Sequence, residues 1–228
     1  MASTITVQQV VNYAQTQIRN APLAGVGGFT NEPALTIANN VLQDIFAFPN
    51  AWRFNRKSAA PFNTVAYQQE YTLTGVSDIG WLERVVFQDT NSTNVPQPNR
   101  EGECVFSIAM ESIVDNPTKI ALDRETQTGD SVVRLWAVPG TYVWTVYLDY
   151  QVKPPLITSL SGTWSPVPDE LAFVYRAGFL YHAFTHLGDP RAEAQFQKFQ
   201  LALAKARSVK DAEQQNEAFF PSRPIMVG

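Results

Sequence analysis

Two histidines are the side chains best suited to acid–base or metal chemistry near neutral pH. His182 and His186 are the only histidines in a chain of 228 residues, and their spacing would place two imidazole rings on one face of a helix. A zinc hydrolase of the H-E-x-x-H type needs a glutamate after the first histidine, and Ala183 stands there instead. We therefore interpret the pair as two partly buried helix residues and predict no metal site.

Acidic motifs elsewhere lack the spacing that a ligand or catalytic site requires. Asp123, Glu125 and Asp130 lie around a glycine, but their spacing does not fit a calcium loop of the EF-hand type. Glu101 and Glu103 form a close carboxylate pair, which alone is a weak indication of hydrolytic chemistry. We predict a charged hairpin tip at the first site and no catalytic function at the second.

The remaining chemical motifs also favour a protein without a cofactor. The glycines of residues 25–28 are not followed by the GK[ST] ending of a phosphate loop, nor preceded by a strand pattern. Cys104 is the single cysteine, which excludes an intrachain disulfide and a cysteine-based zinc site. The sequence therefore predicts no cofactor, no catalytic residue and no enzymatic activity.

Positive charge is concentrated near the carboxyl end, although the chain as a whole is acidic. The chain has 17 Lys and Arg against 21 Asp and Glu, a net charge of −4, which argues against a nucleic-acid binder that works through net positive charge. Residues 61–168 hold twelve acidic and six basic residues. The basic cluster consists of Arg191, Lys198, Lys205, Arg207 and Lys210. It is interpreted either as a solvated helix face or as a surface that meets an acidic partner or DNA phosphates.

The pattern around the histidines predicts a helix over residues 168–187. Pro168 suits the first helical position, whereas Gly188 and Pro190 favour an end after residue 187. The helix is apolar on nearly every side, which is typical of a helix that is buried on nearly every side. Its second apolar face contains Leu171, Tyr175 and Phe179. We expect this helix to organise the fold.

Hydrophobic periodicity predicts an α+β protein. Residues 6–9 have capping-box spacing before one helix, residues 31–49 contain a second, and residues after Asp189 form a last one. Period-two alternation predicts strands over residues 67–74, 80–88, 103–109, 119–122, 131–138 and 142–152. We predict a four-helix bundle from residues 1–60 and 163–216, an inserted antiparallel β-sandwich or barrel-like domain over 61–162, and a C-terminal arm over 217–228.

Several short motifs accompany this order of elements: Asn116-Pro117, Leu135-Trp136-Ala137-Val138-Pro139, Tyr147-Leu148-Asp149-Tyr150, Pro154-Pro155, Trp164-Ser165-Pro166-Val167-Pro168-Asp169-Glu170 and Gly188-Asp189. With the amino-terminal helices ending at Trp52-Arg53-Phe54, the chain resembles the head-to-tail adaptor, or neck, proteins of tailed bacteriophages, including the tail tubular proteins below the portal. The similarity covers most of the chain, and residues 61–168 match least.

The resemblance implies a structural virion protein, made in the host cytoplasm, that forms a portal-binding ring of about twelve copies between the portal and the tail. DNA would pass through the centre without sequence-specific binding, and the partners would be the portal and a tail tube or nozzle protein. One alternative is a tube or nozzle ring of the same virion. Another is a cytoplasmic enzyme or small-molecule-binding protein with a pocket near His182 and His186.

The expected contacts of such a ring are apolar. A closed ring needs two different patches on each copy, and we expect them from the second face of the central helix and from the arm. The expected inter-subunit or portal contacts are Leu171, Tyr175, Phe179, Phe219, Phe220 and Ile225. The sequence contains neither a signal peptide pattern nor an apolar run of the roughly 20 residues that a membrane helix needs.

Overall fold

The computed structural model describes residues 3–18, 31–89, 100–110 and 113–218, with side chains described as far as residue 208. The chain divides into two compact units. Residues 1–54 and 154–228 form a helical unit, and residues 55–153 form a β unit. The boundaries predicted at 60/61 and 162/163 differ, because residues 56–58 pair with the sheet and Ile157 belongs to the helical core.

Among the residues that the structure describes, the helical unit contains four helices: α1 (Val7–Gln17), α2 (Ala34–Phe46), α3 (Ala172–His186) and α4 (Ala192–Ala218). The capping box predicted for α1 is present, because the Thr6 hydroxyl accepts from the Gln9 backbone and the Gln9 side chain accepts from the Thr6 backbone. Helix α3 packs against each of the other three helices. It is therefore their shared partner, which accounts for its being apolar on nearly every side.

The end of α3 follows from the sequence, whereas its start at Ala172 lies four residues after the predicted start at Pro168. A short 3₁₀ turn, Asp169–Leu171, lies between Pro168 and the helix. At the other end Gly188 has a φ of 63°, the left-handed conformation that glycine adopts at little cost. The Gly188 N–H donates to the Thr185 carbonyl (3.1 Å) and the Asp189 N–H donates to the Phe184 carbonyl (2.9 Å). These two bonds form a Schellman motif, which ends the helix where the sequence predicts.

The described part of the β unit contains ten strands, some of them only two or three residues long. They are β1 (Arg56–Ser58), β2 (Phe62–Asn63), β3 (Glu70–Leu73), β4 (Ile79–Asp89), β5 (Arg100–Val105), β6 (Val114–Asp115), β7 (Lys119–Glu125), β8 (Ser131–Trp136), β9 (Val138–Pro139) and β10 (Trp144–Val152). Each of the six predicted strands has a counterpart. Strands β1, β2 and β6 were not predicted, because runs this short show no alternation.

One eight-stranded sheet forms most of the β unit. Its order is β1-β10-β4-β5-β7-β8-β3, with β2 also paired to β10. The sheet curls into a half-barrel around one apolar cluster, which includes Tyr71, Val85, Val133 and Val146. The sheet is mixed, because β5 and β7 are parallel, and a second, two-stranded sheet joins β6 and β9 in parallel. Entirely antiparallel pairing was therefore a wrong expectation, whereas the inserted sandwich or barrel-like domain stays a prediction.

Candidate functional site: the assembly surfaces

The second face of α3 is covered by its own chain. Leu171, Tyr175 and Phe179 are at most 3% exposed. The Trp164 ring stacks on Tyr175 with centroids 4.6 Å apart and meets the edge of Phe179 at 6.4 Å. We expected these three side chains to contact a neighbouring copy, and the structure corrects this, because Trp164 and the helical core already bury them.

The segment that carries Trp164 is hydrogen-bonded to the backbone near the amino-terminal end of the chain. Val7 and Gln8 donate their N–H groups to the carbonyls of Gly162 and Leu160, both at 2.9 Å. Thr6 and Thr163 form an antiparallel bridge. This backbone pairing holds the loop before α3 against the start of α1. The loop that carries Trp164 is therefore held in place by the amino-terminal residues.

The Asp169 carboxylate accepts hydrogen bonds from several of the first described residues. Its oxygens accept bonds from the Ser3 and Thr4 hydroxyls, both at 2.6 Å, and from the Thr4 and Ile5 backbone N–H groups. These donors, the Ser3 and Thr4 hydroxyls first, lower the pKa of Asp169 to about 2. An ionised Asp169 at the start of the turn before α3 also lies where the helix dipole favours negative charge.

The two histidines do not come together as a metal site. His182 Nε2 lies 2.8 Å from Asp44 Oδ2 of α2, and its ring packs against Tyr181. His186 is exposed to solvent. Among the residues that the structure describes, no three side chains of the metal-binding types are grouped so as to hold an ion. The prediction of a partly buried histidine is therefore confirmed for His182 and wrong for His186.

The acidic motifs of the β unit are held by cations or by turn backbone. Asp123 pairs with Arg124 and Arg134, and Glu125 pairs with Lys153. Glu103 lies 3.3 Å from Lys119. Asp130 accepts from the Gly75 N–H (2.8 Å) at a turn. These contacts fit structural ion pairs on a sheet and do not gather the carboxylates around one point.

Cys104 fits a structural role. Its thiol is half-buried, and burial raises the pKa to about 11, which disfavours the reactive thiolate.

The basic cluster is divided between several environments. Arg191 is held by Asp189 (2.7 Å) and lies over the Phe184 ring. Lys198 and Lys205 are exposed, and Arg207 is partly buried. The side chain of Lys210 lies outside the described residues, as do Phe219, Phe220 and Ile225 of the predicted arm. Among the described side chains of this cluster, Arg191, Lys198 and Lys205 are therefore exposed, and Arg191 is paired with Asp189.

A cation–aromatic face lies on the helical unit, formed by Tyr13, Phe173, Arg176, Leu201 and Lys205. The Arg176 guanidinium lies 5.4 Å from the Tyr13 ring centre, and the Lys205 ammonium lies 5.5 Å from that of Phe173. Leu201, one turn from Lys205, is 71% exposed. Arg176 is the one Asp, Glu, Lys or Arg residue of α3, and this isolated charge is the sequence signal for the face.

A β-unit groove of about 830 Å³ lies where Tyr67, Gln68, Gln69, Glu70, Met110, Val114 and Val138 meet. Tyr67 and Met110 are about two-thirds exposed, at 67% and 72%. Glu70 is fixed in place by Arg124 and Arg134, whose hydrogen bonds lower its pKa to about 2. Sequence reasoning missed this groove, because its lining comes from four separate stretches with no shared motif.

Net charge is carried by one unit only. The β unit has twelve acidic and eight basic residues, a net charge of −4, and the helical unit has nine of each. Apolar side chains are exposed on both units. Large exposed apolar patches are typical of surfaces that bind other proteins, so the exposed apolar side chains are candidates for contacts with a partner.

Residues 5–224 match the family of the SU10 adaptor protein, and the chain belongs to that family. The family is of the phage head-to-tail adaptor type, so the chain is a structural component of a bacteriophage virion that assembles with portal or tail components. Such adaptors are typically non-enzymatic. A search among curated proteins found no match. Among the described helices, none is both long and apolar enough to cross a membrane.

Proposed function

We propose that this chain is the subunit of a connector ring between the portal and the tail, with a central channel for DNA. The observation that carries the proposal is the family match over nearly the whole chain. The resemblance that motivated it implies about twelve copies in the ring. The tail tubular subfamily and the nozzle position are finer alternatives within the same virion.

Ring closure sets a physical requirement that the chain is able to meet. Contacts that run head to tail around a ring join two different patches of each copy. The described surfaces offer the cation–aromatic face and the β-unit groove, and the arm of residues 217–228 adds Phe219, Phe220 and Ile225. We propose that contacts with neighbouring copies and with the portal use these surfaces.

The charge distribution suits a channel for DNA. A protein that neutralises phosphates releases counterions and binds DNA tightly, which would retain a strand that must slide through. The net charge of −4 and the small number of exposed cations in the basic cluster disfavour such binding.

The test is binding to the portal protein of the same phage. The purified full chain is mixed with portal rings, and the complex is isolated and imaged by negative-stain electron microscopy. We expect an additional ring on the tail side of the portal. A chain that leaves the portal bare in this mixture, and that antibody labelling of intact virions places further down the tail, would overturn the connector position in favour of the nozzle alternative.

A further inference from the structure

The β-unit groove exposes apolar side chains that its own unit leaves uncovered among the described residues. Val114 is 48% exposed, and with Tyr67 and Met110 it gives the groove three large apolar contributions. A volume of about 830 Å³ lies within the range of about 300–1,000 Å³ that is usual for ligand pockets. The groove is therefore large enough for several side chains of an extended segment.

An open strand edge lies beside this groove. Strand β6 (Val114–Asp115) pairs in parallel with β9 (Val138–Pro139), and both its residues are exposed. On the other side of β9, the Tyr67 N–H donates to the Pro139 carbonyl at 2.8 Å. Within the described residues β6 thus has one strand partner, and its second edge can pair with another extended chain, which is how many domains bind peptides.

The last ten residues of the chain have the composition that such a site would bind. Residues 219–228 contain five large apolar side chains, and Arg223 is their one charged side chain. Pro221 and Pro224 prevent a helix but are compatible with an extended backbone. Ile225, Met226 and Val227 can supply a short strand with alternating side chains, and Arg223 suits a unit whose net charge is −4.

We propose that residues 219–228 of one copy bind in the β-unit groove of a neighbouring copy, adding a strand beside β6. The arm and the groove are two different patches, so the contact runs head to tail and repeats around a ring. This inference rests on the proposed function, because it requires copies to lie side by side. In this contact, apolar side chains of the arm pack against Tyr67, Met110 and Val114 of the groove.

The test is photo-crosslinking in the full chain bound to portal rings. The photoreactive residue p-benzoylphenylalanine replaces Phe220 in one chain, which is mixed with isotopically labelled chain that lacks it. After irradiation, cross-linked peptides are mapped by mass spectrometry. We expect cross-links from the unlabelled to the labelled copy at Tyr67, Met110 or Val114.

Two variants of the labelled copy make the result specific. Val114→Asp places a charge in the apolar groove and should lower the cross-link yield about tenfold or more. Leu156→Asp is the control, because Leu156 is also exposed (75%) but lies in the helical unit and does not line the groove. Its yield should stay within about twofold of the unsubstituted chain.

Three outcomes would overturn the proposal: cross-links within one copy, cross-links to the portal or to another surface, or a yield that Val114→Asp leaves unchanged. Electron microscopy of the same samples reports separately whether rings formed. Rings with the wrong cross-links would contradict the arm–groove contact alone, whereas portals without rings would contradict the proposed function itself.

Discussion

At the scale of single residues, Asp169 fixes the amino-terminal end of the helical unit through a set of hydrogen bonds. For Asp169→Asn we expect faster hydrogen exchange at the Thr4 and Ile5 amides, because both donate to this carboxylate. The measurement is amide exchange followed by mass spectrometry or NMR. Ser161→Asn is a control substitution, because it lies in the same region and bonds only to Ser159 among the described contacts.

The Asp169 carboxylate should make the free energy of unfolding depend on pH. Because the pKa of Asp169 is lowered to about 2 from its ordinary value of 3.8, its contribution to stability is present above pH 4 and is lost as the pH falls towards 2. The difference in unfolding free energy between the wild type and Asp169→Asn should therefore narrow over this range. A difference that stays constant from pH 5 to pH 2 would contradict this role.

Gly178 is required by close helix packing and not by backbone conformation. A Cβ atom added there would lie 2.9 Å from both Phe199 of α4 and Val41 of α2. We expect Gly178→Val to lower the free energy of unfolding by about 1–3 kcal/mol, the usual cost of overpacking a core. The measurement is denaturant unfolding followed by circular dichroism.

The control for Gly178 places the same side chain where there is room. Ala194 is exposed on α4, so Ala194→Val should cost no more than about 0.7 kcal/mol of helix propensity. Equal losses for the two variants would mean that the packing of α2, α3 and α4 around Gly178 is looser than described.

At the scale of elements, the loop before α3 is as important as the helix. Trp164 is fully buried and stacks on Tyr175. We expect Trp164→Ala to lower the free energy of unfolding by about 3–5 kcal/mol, the usual cost of truncating a buried aromatic side chain. Leu201→Ala, on an exposed position of α4, should change it by less than about 0.5 kcal/mol.

If Trp164→Ala unfolds with the same midpoint as the unsubstituted chain, the loop does not cover α3.

The elements that could be predicted from the sequence are those with strong local signals. The capping residues of α1, the proline and glycine around α3, and the alternation of the longer strands each act within a few residues. In α4, Phe199, Leu203 and Ala206 follow helical spacing and are buried.

What could not be predicted depends on contacts between distant stretches. The parallel pairing of β5 with β7 requires a crossover that periodicity does not encode. Trp164 lies in a loop with four prolines, so no periodic pattern indicates that it covers α3. The groove joins residues 67–70, 110, 114 and 138, and only the folded chain brings them together.

At the scale of the whole molecule, the charge distribution leads to a prediction about DNA. At about 150 mM salt we expect no retardation of duplex DNA by about 10 µM chain, since nonspecific binders with dissociation constants of about 1–100 µM rely on neutralising phosphates. The measurement is a gel-shift or anisotropy titration. Micromolar binding that weakens steeply with salt, and that Lys198→Glu with Lys205→Glu abolishes, would instead assign the basic cluster to DNA.

The proposed function and the arm–groove contact both require that copies of this chain share surfaces in a ring. The most direct measurement is a cryo-electron microscopy structure of the full chain bound to the portal of its phage. We predict a closed ring in which residues 219–228 and the β-unit groove are buried between neighbouring copies. A bound chain whose arm and groove both remain exposed to solvent, or that attaches as isolated copies without lateral contact, would contradict it.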